Sequence, residues 1–221
     1  MRARRTQVER RQESERALVA AAAEVIAERG VEGASLATIG ERAGTSRGLA
    51  TFHFGSKDAL VARVAAAAQD RLTEVMLAAV GPSSDGALDI PGLEWLRASV
   101  DTYLALVEHP SAEDRVLIVM WGATFPSQSS IEGMLDADRR AYDGWAGLLE
   151  RGQRDGSIRM DVDARASAVI LHGMLRGVAA LLLTESAYTD MTSVRATVDR
   201  WIEAALEPRS VASAEEEPTD A

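Results

Sequence analysis

Gly44-Thr45-Ser46-Arg47-Gly48 spells G-x-S-x-G, the pattern that lifts a nucleophilic serine onto a tight turn in many hydrolases. That chemistry needs a strand before the serine and a helix after it. The residues before Gly44 have helical spacing instead, and no stretch reads as a credible strand. The three histidines, His53, His109 and His172, lie far apart, and none has a partner at metal-ligand spacing. The chain is therefore read as neither an enzyme nor a metal site, and no cofactor is expected. What the pentapeptide does offer is a guanidinium. The planar fork of Arg47 matches guanine O6 and N7 in a DNA major groove. Thr45 and Thr51 can hydrogen-bond bases or phosphates, and Leu49 or Phe52 can press on a thymine methyl. Gly48 leaves room for the backbone to approach a duplex. His53 is either a phosphate contact or a histidine packed under the helix. Lys57, the only lysine beside 23 arginines, opens a helix whose free N–H groups also favour a phosphate.

These residues need a scaffold. Leu36, Ile39 and Ala43 recur at helical spacing, so LATIGERA reads as a short amphipathic helix that Gly44 stops. Ser46 caps a second short helix and Ser56 a third that begins at Lys57. Two short helices across a tight glycine turn make a helix-turn-helix, in which Ile39, Ala43 and Phe54 belong to the core.

GERAGTSRGLATFHFGSKDAL resembles the signature of the tetracycline-repressor (TetR) family of bacterial transcription regulators. Ala43-Gly44 matches the turn, Ser46-Arg47-Gly48 the start of the recognition helix, and His53-Phe54 with Ser56-Lys57 the close of the motif. The match spans residues 14–64. One departure stands out: members carry a tyrosine at the place of Thr51 or of Phe52, so a tyrosine–phosphate contact does not carry over. The resemblance implies an all-α homodimer that binds a palindromic double-stranded DNA operator. It also implies a small-molecule inducer held in a helical C-terminal domain, repression as the function, and a cytoplasmic location. A DNA interface at Thr45, Ser46, Arg47, Gly48, Leu49, Thr51, Phe52, His53 and Lys57 follows from the motif.

Net charge is −10, which taken alone disfavours nucleic acid. Its distribution reverses that inference. Residues 1–60 hold ten basic against eight acidic side chains, whereas residues 61–221 hold 14 against 26. A basic end on an acidic body suits a protein that touches phosphate with one face. The absence of cysteine fits a reducing compartment.

In order, residues 1–13 read as a flexible basic arm and 14–56 as the helix-turn-helix domain. Residues 57–80 form a linking helix, 81–206 a larger helical domain, and 207–221 a disordered acidic tail; about nine helices are expected. The turn-rich Gly81–Gly92 marks the boundary. Ser111 with Asp114, and Ser129 with Glu132, have capping-box spacing. The apolar run VLIVMW reads as a buried helix. Residues 164–184 are apolar on nearly every side, which predicts burial on more than one face; His172 and Arg176 interrupt them, so no membrane span is read there.

Trp95, Tyr103, Trp121, Phe125, Tyr142 and Trp145 are candidates for a ligand pocket, with His172 and Arg176 as polar anchors. Aromatic residues at helical spacing are core more often than pocket, which is the rival reading of the same set. Gly173 and Gly177, one turn apart, let another helix approach closely. With Val198 and Trp201 they are the expected dimer contacts. The rival reading is a helical protein-interaction adaptor without specific DNA binding, which leaves the arginine-rich arm and the Ser46–Lys57 motif without a use.

Overall fold

Helix starts in this chain are written in its hydroxyl and carboxylate side chains. The computed structural model describes residues 6–80, 90–123, 131–185 and 190–208, and among them it forms nine α-helices and no strand. These are α1 (Gln7–Gly33), α2 (Leu36–Arg42), α3 (Arg47–Phe54), α4 (Lys57–Val80), α5 (Gly92–Glu108), α6 (Ala112–Ala123), α7 (Ile131–Asp155), α8 (Ala164–Glu185) and α9 (Met191–Leu206). Ser35, Ser46 and Asp190 cap α2, α3 and α9 by accepting backbone N–H bonds. Ser56 accepts from Ala59 at the start of α4, and Ser111 and Asp114 form the expected reciprocal pair before α6.

One boundary differs from expectation. α1 begins at Gln7, inside the stretch read as an arm. Thr6 and Glu9 make a capping box there, with Glu9 N–H on Thr6 Oγ1 at 3.2 Å and Thr6 N–H on Glu9 Oε2 at 2.7 Å. Residues 10–13 carry no apolar period, so only this cap marks them as helical. Gly30, at φ 71°, kinks the helix near its C-terminal end.

α1, α2 and α3 pack around Leu18, Val25, Ile26, Ile39 and Ala50, each 0% exposed, and the first turns of α4 close this core with Leu60 and Val61. α1 also lies along α6, which joins the small unit to the larger one. α6 is the buried helix expected of VLIVMW, with Val116, Leu117, Ile118, Met120 and Trp121 inside. α5 packs on α7, α8 and α9. Two bidentate ion pairs, Arg97–Asp199 and Arg195–Asp101, each at 2.6 Å, clamp α9 to α5. The expected domain break at Gly81–Gly92, apart from its last three residues, the tail beyond residue 208, the Ser129 cap and Phe125 lie outside the described residues.

α8 departs from the reading of burial on several faces. By length and composition residues Ala164–Leu182 could span a membrane, yet only 28% of that window is buried. Its inner face carries Ala168, Leu171, His172, Leu175 and Ala179; its outer face leaves Val169, Ile170 and Leu181 in the open.

Candidate nucleic-acid interface and effector cavity

α2 and α3 meet at a turn that glycine makes possible. Gly44 has φ 67°, a left-handed value an L-residue adopts at a penalty, and the Thr45 N–H bonds back to Gly40 O at 2.8 Å. Gly40 has its own reason: a Cβ there would stand 3.1–3.2 Å from the backbone of Ser46 and Arg47. It sets how closely α3 approaches α2, and the sequence motif gave no sign of it. Arg47 then opens α3, exposed and without an acidic partner among the described residues. Arg42, by contrast, is neutralised by Glu24 at 3.0 Å and Glu28 at 2.8 Å.

Gly48, Thr51 and Phe52 share the exposed surface of α3, while Thr45, Leu49 and His53 are partly covered. Phe52 is 70% exposed, and the Arg11 guanidinium lies 5.7 Å from its ring centre. The start of α1 thus reaches α3. Nothing inside the chain requires glycine at position 48, where a Cβ would meet only Ser46 Oγ at an ordinary 3.6 Å. The Ser46 hydroxyl is occupied as the α3 cap, and Thr51 Oγ1 donates to Arg47 O at 3.1 Å. Lys57 Nζ donates to Glu32 O at 3.3 Å, so one of its three protons closes the end of α1.

Between α4, α5, α7 and α8 lies a cavity of 380 Å³. Trp95, Tyr103, Trp121, Trp145 and His172 all line it, so the structure brings together five of the eight expected pocket residues. Tyr142 and Arg176 do not line it. They stand behind it: the Tyr142 ring meets His172 edge-on at 4.7 Å, and the Arg176 guanidinium covers Trp121 at 4.9 Å. Asp138 ties this layer together. It accepts from Trp121 Nε1 and Arg176 Nη1, each at 3.1 Å, and lies 3.7 Å from His172 Nε2, too far for a hydrogen bond. Asp138, Ser99 and Gln69 are the polar residues here that sequence reading passed over; none belongs to a motif.

Three buried polar atoms at this cavity have no hydrogen-bond partner among the described residues: Ser99 Oγ, Tyr103 OH and His172 Nε2. Burial raises the Tyr103 pKa, only partly offset by Arg176, so the phenol stays a neutral donor. Unpartnered buried groups are rare in native proteins, and each calls for a partner. A larger groove of 780 Å³ between α5 and α9 is lined by the two clamping ion pairs, which already satisfy one another.

The expected dimer contacts divide. Gly173 and Gly177 face open space on the outer side of α8, and Trp201 is 62% exposed on α9. Val198 is not on that surface. It is 4% exposed and points at α5, because α9 needs that position to hold its inner face, with Ile202 and Leu206.

Residues 18–64 match the model of the family described as bacterial regulatory proteins, tetR family. No curated protein matches the sequence. Among solved structures, a Rhodococcus protein described as a TetR-family transcriptional regulator superposes with TM-score 0.75 at 18% identity, over 89% of this chain and 100% of that one. SmeT, the repressor of the Stenotrophomonas maltophilia multidrug efflux pump SmeDEF, gives 0.70 at 21% identity, over 93% and 97%. The transcriptional regulator FadR from Bacillus subtilis, solved with stearoyl-CoA, gives 0.67 at 16% identity, over 85% and 96%. At identities this low the likeness speaks for the fold alone. Residues 18–64 thus carry the tetR-family match, and the chain as a whole shares the fold of the solved TetR-family regulators.

Proposed function

We propose that this protein is a cytoplasmic homodimeric repressor that binds a palindromic DNA operator and is released by a small amphipathic ligand. The observation that carries the DNA-binding part is Arg47, exposed and without an acidic partner among the described residues at the head of α3. Gly48 beside it is a glycine that the fold itself does not need. The repressor SmeT and the acyl-CoA-bound FadR share the fold, which supports the reading.

α4 supplies the coupling. Its first turns bury Leu60, Val61 and Val64 under the helix-turn-helix, and two to three turns later Gln69, Leu72, Thr73 and Met76 form a wall of the cavity. One helix rising about 1.5 Å per residue carries a displacement from one site to the other. A ligand that pushes this wall outward tilts α3 and changes the spacing of the two DNA heads. The division into residues 14–56, 57–80 and 81–206 belongs to the same proposal, with the start of the first unit moved to residue 6. Val169, Ile170 and Leu181 form an apolar strip on α8 with Gly173 and Gly177, Trp201 is exposed on α9, and a second copy of the chain would cover them.

Selection of bound sequences from random duplex DNA, at two salt concentrations, tests the proposal. The expected product is a palindrome whose half-sites are at least about one helical turn apart. Binding that merely fades with salt and enriches no sequence would overturn it and favour the adaptor.

A further inference from the structure

The face of α7 turned toward α4 reads Arg140, Gly144, Gly147, Arg151 and Arg154, at the three- and four-residue steps of one helical side. Side chains added at Gly144 or Gly147 would meet nothing within 4 Å. These two glycines therefore leave a slot between α4 and α7, open to solvent, above the cavity. Across it, α5 presents Trp95, Ser99 and Tyr103 at positions i, i+4 and i+8, a single line about 12 Å long. Polarity changes along that line. At one end the Arg151 guanidinium lies 5.2 Å from the Trp95 ring centre, and Arg154 stands one turn further on. Arg154 is exposed and has no acidic partner among the described residues. At the other end are the unpartnered hydroxyls of Ser99 and Tyr103, and then Trp121 and His172. Arginines are not scarce in this chain, but its larger part is strongly acidic, and one at a cavity mouth with no acidic partner among the described residues stands out.

We infer that the slot at Gly144 and Gly147 is the entrance to the effector cavity and that the effector is an amphipathic anion. Its ring-bearing apolar body lies along Trp95 toward Trp121. An oxygen on that body meets Ser99 Oγ and Tyr103 OH. Its negative group stays at the mouth beside Arg154 and Arg151. This rests on the reading of the cavity as an effector site. A carboxylate, sulfonate or phosphate ester shares the required charge, and a cavity of 380 Å³ suits a compact molecule.

The test uses two fluorescent probes on the full-length protein: anilinonaphthalenesulfonate and its uncharged parent, N-phenylnaphthylamine. Arg154→Glu should weaken the sulfonate by roughly tenfold while leaving the parent within about twofold, because only the former loses a charge contact. The same reversal at Arg140, at the far end of the slot, should have the smaller effect. Gly147→Trp, an exposed position with free space around it, should block both probes. If Arg154→Glu leaves the sulfonate's affinity unchanged while Gly147→Trp still blocks both, the cavity stands and the anion preference falls. If Gly147→Trp blocks neither, the entrance is elsewhere and the inference is wrong. If neither probe binds the unaltered protein, the effector-cavity reading itself fails, and the inference with it.

Discussion

Asp138 on α7 and Arg176 on α8 form an ion pair at 3.1 Å, directly behind the Trp121 wall of the cavity. Burial pushes the Asp138 carboxyl pKa up, but His172, Arg176 and Trp121 more than offset this, and it lies below its ordinary value. A depressed carboxylate pKa stabilises the fold above the unfolded value near 3.8, and the contribution is lost as pH falls through and below it. Asp138→Asn should therefore lower stability by about 1–3 kcal/mol near neutral pH, less than for a fully buried pair since Arg176 keeps some exposure. As pH falls below about 4 the gap should shrink, and it should close once pH lies below the depressed Asp138 value, where both proteins carry a neutral group. Urea unfolding at the two pH values checks this; a gap independent of pH contradicts it.

Gly40 and Gly48, eight residues apart, should respond in opposite ways. At Gly40 a methyl group would press on the Ser46–Arg47 backbone at 3.1–3.2 Å, which cannot swing aside as a side chain can. Gly40→Ala should destabilise the protein by about 1–3 kcal/mol. Gly48→Ala meets only an ordinary contact, and alanine favours the helix, so stability should hold or rise by up to about 1 kcal/mol. Operator affinity should nonetheless fall for Gly48→Ala. Thermal denaturation and a DNA-binding titration on both variants separate the two roles, and unchanged DNA binding at position 48 would remove that glycine from the interface.

The contrast also marks what was legible in the sequence. Local signals survived: the Ser46 and Ser111 caps, the Gly44 turn, and the helical reading of VLIVMW all depend on neighbours a few residues away. Gly40 could not be read, since the backbone it would strike lies across a turn. Asp138 was equally silent, because its partners come from α6 and α8 and leave no spacing pattern. Val198 was misplaced because a helical stripe shows which residues share a face, not which neighbour covers it. The aromatic residues were legible as a set, but only the fold divides Trp95, Trp121 and Trp145 at the cavity from Tyr142 behind it.

Arg47 and Lys57 should separate base reading from phosphate binding. Arg47→Ala should cost about 1–3 kcal/mol of operator affinity and relax preference at one base position. Lys57→Ala should weaken all sequences alike and reduce the salt slope by about one. Because Lys57 also donates to Glu32 O, a small loss of stability is expected with it. Binding isotherms at several salt concentrations decide the matter. If neither substitution changes operator binding, α3 does not dock as described.

Trp201 and Gly177 should govern assembly. Both face outward, Gly177 on α8 and Trp201 on α9, so a charge or bulk there leaves the protomer core untouched. Trp201→Glu and Gly177→Leu should each shift the protein from dimer toward monomer in light scattering at fixed concentration, with the helical circular dichroism largely kept. A dimer that persists in both variants would place the two-fold contact elsewhere.

Tyr103 presents the last case, a hydroxyl buried without a partner among the described residues. Removing one member of a hydrogen bond usually leaves the other unsatisfied and costs about 1–3 kcal/mol. Here there is no other member to strand. Tyr103→Phe should therefore leave the melting temperature of the ligand-free protein unchanged or slightly higher, and Ser99→Ala, one turn before it, should do the same. The phenol stays protonated across the working range, so pH should not alter this result. A clear drop in melting temperature would mean the hydroxyl is already bonded in the free protein, and the polar end of the cavity would then hold no vacancy for a ligand oxygen. No drop, together with weaker binding of an oxygen-bearing effector, would assign both hydroxyls to ligand recognition and not to the fold.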